Sequence, residues 1–125
     1  MLPAVAPRSK QTSARVRRKA AEQCARSLDS DLFRALGEPV RIELVRLLIA
    51  RGPSDLGALA DELPQDTSVI SRHLAVLHRA GVVRRDKRGR HVHFELDGPT
   101  LVARLDEIVA ELRKAAPFCC AGDSC

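Results

Sequence analysis

Two short amphipathic helices joined by a tight connection, in the middle of the chain, constrain its fold more than any other feature. Ser54 or Asp55 can cap the first helix, which buries leucines and is closed by Pro64. After a connection of about three residues, Asp66 can cap the second helix, and Gly81 is a natural C-terminal stop. Two helices in this relation predict a helix-turn-helix arrangement.

The second of these helices, predicted at residues 66–80, has two chemically different sides. Its inward stripe consists of Ile70, His73, Leu74 and Leu77. The opposite side consists of Thr67, Ser68, Ser71, Arg72 and Ala75. Short hydroxyl side chains allow close approach to base edges in a DNA groove, and the guanidinium of Arg72 can donate to a guanine or a phosphate. For His73, its inward position favours a core or phosphate-facing role over metal ligation.

A basic hairpin is predicted to follow the second helix, in the run VVRRDKRGRHVHFEL. Apolar residues alternate in the strand pattern at Val83, Val92, Phe94 and Leu96. Gly89 is suited to the turn, and Arg88 and Arg90 beside it can contact phosphates or the minor groove. The alternatives for these residues are a solvated basic surface and a two-ligand metal site at His91 and His93.

The segments on either side of this region are also predicted to be helical. A basic flexible arm at residues 1–11 precedes a helix at about 12–28, two further helices follow, and the last helix is predicted at about 99–116. The last helix has apolar residues around more than one narrow stripe, and a small monomer has little core left to cover them. We therefore expect a homodimer through the first and last helices. Its predicted interface residues are Cys24, Leu28, Leu101, Leu105, Ile108 and Leu112.

Together these elements predict a mainly α fold with a small β-hairpin, a winged helix-turn-helix, in one DNA-binding and dimerisation domain at residues 12–116. The chain has three phenylalanines and no Trp or Tyr, which argues against binding RNA or single strands by stacking bases on aromatic rings. Residues 72–93 contain seven Lys or Arg and one acid, so positive charge is concentrated at the predicted reading region. No segment approaches the ~20 apolar residues of a membrane span, and residues 1–10 lack a secretion signal, so we expect a cytoplasmic protein with reduced thiols and no membrane partner.

In three stretches the sequence resembles the ArsR/SmtB family of bacterial metal-sensing repressors. They are LFRALGEPVRIELVRLL (32–48), DLGALADELPQDTSVISRHLAVLHRAGVV (55–83) and GRHVHFEL (89–96). The resemblance implies a winged-helix homodimer that binds double-stranded operator DNA and releases it when an inducer binds. It also implies where inducers usually bind, and two common sites are absent. Residues 51–56 contain no cysteine, and the last helix contains no histidine.

Three of the four cysteines fall in the C-terminal run PFCCAGDSC (117–125). The small, flexible spacer lets Cys125 fold back beside Cys119 and Cys120, so that three thiolates form a trigonal cup. Soft thiolates select thiophilic ions; As(III) or Sb(III) binds three sulfurs in a pyramid, whereas structural zinc prefers four ligands. Some members of the family sense arsenite through C-terminal cysteines that include an adjacent pair, and this tail resembles theirs. The sequence therefore predicts an inducer-binding tail at residues 117–125.

Other roles for the cysteines stay open. Cys24 is most simply a small buried helix residue, but as a fourth sulfur it would shift the preference towards Cd(II) or Pb(II); Hg(II) and Bi(III) are further thiophilic candidates. The same thiols can form a redox or sulfur-sensing switch, Cys125 can form a disulfide with either neighbouring cysteine, or the tail can lack a function. A different class, a thiol-based metal-transfer protein or enzyme, is the remaining alternative. No cofactor loop, phosphate cradle or paired nucleophile and base is present in the sequence, so we expect no enzyme.

Overall fold

Six helices and three short strands make up the part of the chain that the structure, a computed structural model, describes: residues 10–119, with side chains from Ala14 onward. The helices are α1 (Lys10–Leu28), α2 (Asp31–Leu36), α3 (Pro39–Arg51), α4 (Leu56–Ala60), α5 (Thr67–Arg79) and α6 (Gly98–Ala115). The strands are β1 (Ser54–Asp55), β2 (Val83–Arg88) and β3 (His91–Leu96). A 3₁₀ turn, Ala116–Phe118, follows α6. The prediction of a mainly α fold with a small hairpin is confirmed.

The chain divides into two compact units. The central unit is residues 30–104, and the terminal unit combines the described residues 10–29 with residues 105–119. The first nine residues of the predicted basic arm and the last six of the predicted tail lie outside the described residues. No helix in residues 10–119 is long and apolar enough to cross a bilayer.

The core of the central unit is aliphatic, as the scarcity of aromatic residues requires. Its fully buried side chains are Leu32, Leu44, Leu59, Ile70, Leu74, Leu77, Val82 and Val83. Three of these are the predicted inward stripe of α5, which confirms the helical spacing, while His73 on the same stripe is half-buried. Gly81, with φ +79°, follows the C-terminal end of α5 in the left-handed conformation that suits glycine.

The predicted hairpin is present, and a third strand extends it. β2 and β3 pair from Val83 opposite Leu96 to Arg88 opposite His91, with a two-residue turn at Gly89, whose φ is +63°. On the other edge of β3, the two residues of β1 form an antiparallel pair with Phe94 and His93. The resulting sheet order is β1-β3-β2. The sequence interpretation missed β1 because two residues are too short to show strand alternation.

The connection between α4 and α5 is longer than predicted. The expectation of about three residues is wrong: α4 ends at Ala60, and Asp61 to Asp66 separate the two helices. Turn hydrogen bonds from the backbone N–H of Glu62 and of Leu63 end the helix before Pro64 is reached. Asp55 does cap α4, because its Oδ1 accepts from the backbone N–H of Ala58 at 2.8 Å. Asp66 occupies the N-cap position of α5 without a side-chain capping bond.

Candidate DNA interface and thiol cluster

The exposed side of α5 is the candidate DNA-reading surface. Thr67, Ser68, Ser71, Arg72 and Ala75 are all exposed, opposite the buried stripe. The structure therefore brings the predicted hydroxyl-bearing residues onto one solvent-facing surface. Arg72 has no hydrogen bond or ion pair within residues 10–119, so its guanidinium is available to a ligand.

His73 lies away from this exposed surface, on the flank next to the buried stripe. Its Nδ1 is 3.2 Å from Nη1 of Arg41, a residue of α3. The same guanidinium donates to the carbonyl oxygens of Arg34, at 3.1 Å, and Ala35, in the last turn of α2. No sequence pattern marks Arg41, because its partner on α5 is 32 residues away.

The hairpin, which forms the wing, has fewer available cations than its sequence indicates. Arg84 pairs with Glu95 across the strands at 2.9 Å, and Arg88 pairs with Asp86 at 2.9 Å. Lys87 and Arg90 are exposed and have no ion pair among the described residues. Of the two predicted wing contacts, Arg90 is therefore free for a phosphate, whereas Arg88 must first exchange its carboxylate partner.

One basic side chain of the wing, Arg85, contacts an aromatic ring. The guanidinium carbon of Arg85 lies 5.9 Å from the ring centroid of Phe94, its partner on the neighbouring strand. Phe94 is buried and Arg85 is exposed, so the guanidinium keeps its charge at the surface of the sheet. The exposed cations of the wing without an ion pair among the described residues are therefore Arg85, Lys87 and Arg90.

Among the described side chains, the histidines of the hairpin belong to no group of three potential metal ligands, and a two-ligand site at His91 and His93 stays a prediction. His93 lies between Asp55 on β1 and Asp86 on β2 in the strand register, and its Nδ1 is buried without a hydrogen-bond partner. No three His, Cys, Asp or Glu side chains from residue 14 to residue 119 are placed to hold a metal ion together.

The terminal unit contains two of the four cysteines. Cys24 on α1 is buried, with 8% of its surface exposed, in a small cluster with Ala20 and Ala115, against which Phe118 packs. Cys119 is exposed, and its Sγ donates to the carbonyl oxygen of Ala115 at 3.3 Å. Both are free thiols. Cys120 and Cys125 lie outside the described residues, so the three-sulfur site stays a prediction.

The contact between α1 and the end of α6 is made within one chain. Nη2 of Arg17 donates to the carbonyl oxygen of Phe118 at 2.6 Å, next to the buried cluster. Cys24, predicted at a dimer interface, is thus already covered by its own chain. The contact with α1 therefore fixes the turn Ala116–Phe118, directly before Cys119.

Two of the six predicted dimer residues, Leu28 and Leu112, are exposed in the single chain. Ile108 is buried, and Leu101 and Leu105 are half-buried. The large apolar side chains left exposed on the predicted interface helices are Val16, Leu28, Val102, Val109 and Leu112. Val102 and Val109 belong to the broad apolar face predicted for the last helix, although they are not among the six predicted interface residues. Within the terminal unit, exposed apolar side chains such as Val109 and Leu112 are suited to a contact with another protein.

This chain is similar to known transcriptional regulators over most of its length. The family model described as HVO_A0114 matches residues 38–98. The arsenical resistance operon repressor of Escherichia coli (strain K12) is 32% identical over 108 residues, which cover 78% of this chain and 92% of the relative. The solved structure of a possible transcriptional regulator for arsenical resistance is 36% identical, with a TM-score of 0.58, covering 66% of this chain and 83% of that one.

A second solved structure extends the similarity to the winged-helix fold. The ArsR-like transcriptional regulator from Rhodococcus sp. RHA1 is 30% identical, with a TM-score of 0.59, covering 70% of this chain and 86% of that chain. The winged-helix prediction is confirmed by these neighbours. The chain belongs to the ArsR/SmtB family of helix-turn-helix transcriptional regulators.

Proposed function

We propose that this protein is a repressor that binds double-stranded operator DNA as an apo homodimer and releases it when As(III) or Sb(III) binds C-terminal thiolates. The observation that carries the DNA-binding part is the exposed side of α5. There, three hydroxyl side chains and the unpaired Arg72 face solvent on a helix of 13 residues. Such a helix is about 20 Å long and fits the major groove, where hydroxyl and guanidinium groups reach base edges.

The wing supports the same proposal. Arg90 lies in the two-residue turn between β2 and β3, where its guanidinium is exposed and unpaired among the described residues. A cation at the tip of a winged hairpin contacts the DNA backbone beside the groove that the helix enters. Arg90 therefore contributes affinity without reading sequence, whereas Arg72 contributes to both affinity and base preference.

The homodimer part rests on exposed apolar residues of the terminal helices. Val102, Val109 and Leu112 of α6 are 58%, 41% and 41% exposed in the single chain. Covering them with the same residues of a second copy removes them from water around a two-fold axis. A symmetric dimer places two copies of α5 on half-sites about one DNA turn, roughly 34 Å, apart. The operator is therefore expected to be an inverted repeat.

The inducer part rests on chemistry at the C-terminal end of α6. The Cys119 thiol is exposed directly after the 3₁₀ turn, and the sequence places Cys120 and Cys125 within six residues of it. Three thiolates match the pyramidal coordination of As(III) and Sb(III), and the E. coli relative is named as an arsenical resistance repressor. An inducer releases DNA when it binds the DNA-free form more tightly, and couplings of about 1–3 kcal/mol are typical.

One titration tests the proposal as a whole. The probe is a duplex selected from a random-sequence pool with the full-length protein, labelled for fluorescence anisotropy in a reducing buffer without thiols. We expect tight binding of the selected duplex and its release by As(III) or Sb(III) at one ion per chain. Release by Cd(II) or Pb(II) at lower concentrations would instead indicate a four-sulfur site, and release by a mild oxidant alone would indicate a redox sensor.

A further inference from the structure

The guanidinium of Arg41 joins three helices of the central unit. From the first turn of α3, it donates to the last-turn carbonyl oxygens of Arg34 and Ala35 on α2 and lies 3.2 Å from the Nδ1 of His73 on α5. Arg41 and His73 are both half-buried, so this contact is partly shielded from water. Among the residues described, it is a polar side-chain contact between α3 and the middle of the candidate reading helix.

The chemistry of the two groups determines the state of the imidazole. A guanidinium has five N–H donors and no acceptor, so in this contact the Nδ1 of His73 must accept. An imidazole that accepts at Nδ1 is neutral and has its proton on Nε2. Arg41 therefore selects one tautomer of His73, and the bond it makes is charge-assisted, which strengthens it relative to a bond between neutral groups.

A second arginine holds the same helix at its C-terminal end. Arg104, near the start of α6 and within the central unit, donates from Nη1 to the carbonyl oxygen of Ala80, the C-cap residue of α5. Ala80 is buried, so loss of this bond would leave its carbonyl oxygen without a hydrogen-bond partner. α5 is thus fixed by guanidinium groups at its middle and at its end, while its hydroxyl side makes no such contacts.

We propose that Arg41 and His73 are positioning residues for DNA reading, with Arg41 holding α5 at the rotation that presents its hydroxyl side to the groove. This inference rests on the proposed function. It states that a contact on the side of α5 away from the hydroxyl side chains sets the orientation in which the helix reads DNA. Base-edge contacts require donor and acceptor atoms placed within a fraction of an ångström, whereas phosphate contacts tolerate small rotations. Loss of the contact must therefore reduce binding to the selected operator more than binding to random DNA.

The matched variants have side chains of similar shape and differ in the polarity of their two terminal atoms. His73→Asn keeps an acceptor, because the Asn Oδ1 can take the place of Nδ1, whereas His73→Leu has a similar shape and no acceptor. We expect His73→Leu to lower affinity for the selected duplex about tenfold, the scale of one charged hydrogen bond, and His73→Asn to stay within about threefold of the parent. Affinity for the unselected pool should remain within about twofold in both.

Two further measurements separate positioning from folding. In an Arg41→Met background, the two His73 variants should bind the selected duplex equally. The guanidinium donor, to which only the Asn side chain can bond, is then absent. Thermal unfolding should show both variants folded at the assay temperature. Nitrogen-15 NMR of the parent should show the His73 proton on Nε2, and Arg41→Met should give a mixture of tautomers.

The outcomes that overturn the inference are distinct from those that overturn the proposed function. A folded His73→Leu variant that binds the selected duplex like the parent sinks the inference and leaves the repressor proposal intact. The inference is also wrong if His73→Leu lowers affinity for selected and unselected DNA equally, or if NMR places the His73 proton on Nδ1 in the parent. A parent protein that does not discriminate selected from unselected DNA removes the proposed function itself.

Discussion

The Sγ atom of Cys119 lies 3.3 Å from the carbonyl oxygen of Ala115, to which it donates a hydrogen bond across the 3₁₀ turn. Ala115 is the last residue of α6 and belongs to the buried cluster that holds this turn against α1. A thiolate has no proton to donate, and metal ligation requires the thiolate. If Cys119 ligates the inducer, as proposed, binding and this hydrogen bond exclude each other, so the inducer removes one contact of the turn that ends α6.

The first prediction concerns the tail. Cys119→Ser and a chain truncated after Cys119 should bind operator like the parent, because neither change touches α5, the wing or the buried cluster. Both should lose release by arsenite, since fewer than three sulfurs then remain in the tail to complete the pyramid. Anisotropy titrations with As(III) at fixed protein and duplex concentrations measure this. Truncation after Cys119 is preferable to a shorter chain, because Phe118 packs on the cluster and accepts from Arg17.

Cys24 provides the control for this prediction. Replacing it with Ala keeps a small apolar side chain in the cluster, whereas Ser would bury a hydroxyl group. With a three-sulfur site, Cys24→Ala should leave the arsenite midpoint unchanged. A chain truncated after Cys119 that still releases DNA at the parent's arsenite concentration would exclude the tail as the inducer site.

The second prediction separates base reading from backbone contact. Arg72→Ala should weaken binding to the selected duplex and relax its base preference by about 1–3 kcal/mol at the contacted position. Arg90→Ala should weaken binding to all sequences alike and reduce the log–log salt slope by roughly one unit. The measurement is anisotropy at several salt concentrations with selected and unselected duplexes. If both variants match the parent on both duplexes, α5 and the wing are not the DNA interface.

The third prediction uses the ion pair between Arg88 and Asp86. Because Asp86 holds the guanidinium at 2.9 Å, Arg88 gives up a carboxylate when it contacts a phosphate. Asp86→Asn should therefore strengthen binding to every duplex and steepen the salt dependence, since one negative charge near the backbone is removed. Glu95→Gln, which frees Arg84 at the opposite end of β2, is the matched control for a general charge effect. Equal gains from the two variants would show that net charge, not Arg88, is responsible.

The helix-turn-helix and the hairpin could be predicted from sequence because their signals are local. The stripe of Ile70, Leu74 and Leu77 recurs at the helical period, and Gly89 is placed where the turn needs a positive φ. The exposed side of α5 follows directly, since residues opposite a buried stripe face solvent. These predictions required no knowledge of how the elements pack.

The rest depends on contacts between distant residues. β1 has two residues and exists because Ser54 and Asp55 pair with residues of β3; Ser54 and its partner Phe94 are 40 positions apart in the chain. The contact of Arg41 with His73 and that of Arg104 with Ala80 likewise leave no periodic pattern. The pairing of Arg88 with Asp86 is local but depends on side-chain conformations. Sequence therefore predicted which cations lie on the wing, but not which of them are free.

The last prediction concerns assembly. Val109→Glu and Leu112→Glu place charges on side chains that are each 41% exposed in the single chain, so the change leaves the buried cores intact. In a dimer the same positions become buried, and an unpaired buried carboxylate is strongly unfavourable. We expect both variants to sediment as folded monomers and to bind the inverted-repeat operator weakly, because each monomer reads one half-site. Ile49→Glu, at a 66% exposed position on α3, is the matched control and should remain a dimer with the parent's affinity. The proposed dimer is wrong if the parent protein sediments as a stable monomer under the conditions in which it binds the full operator tightly.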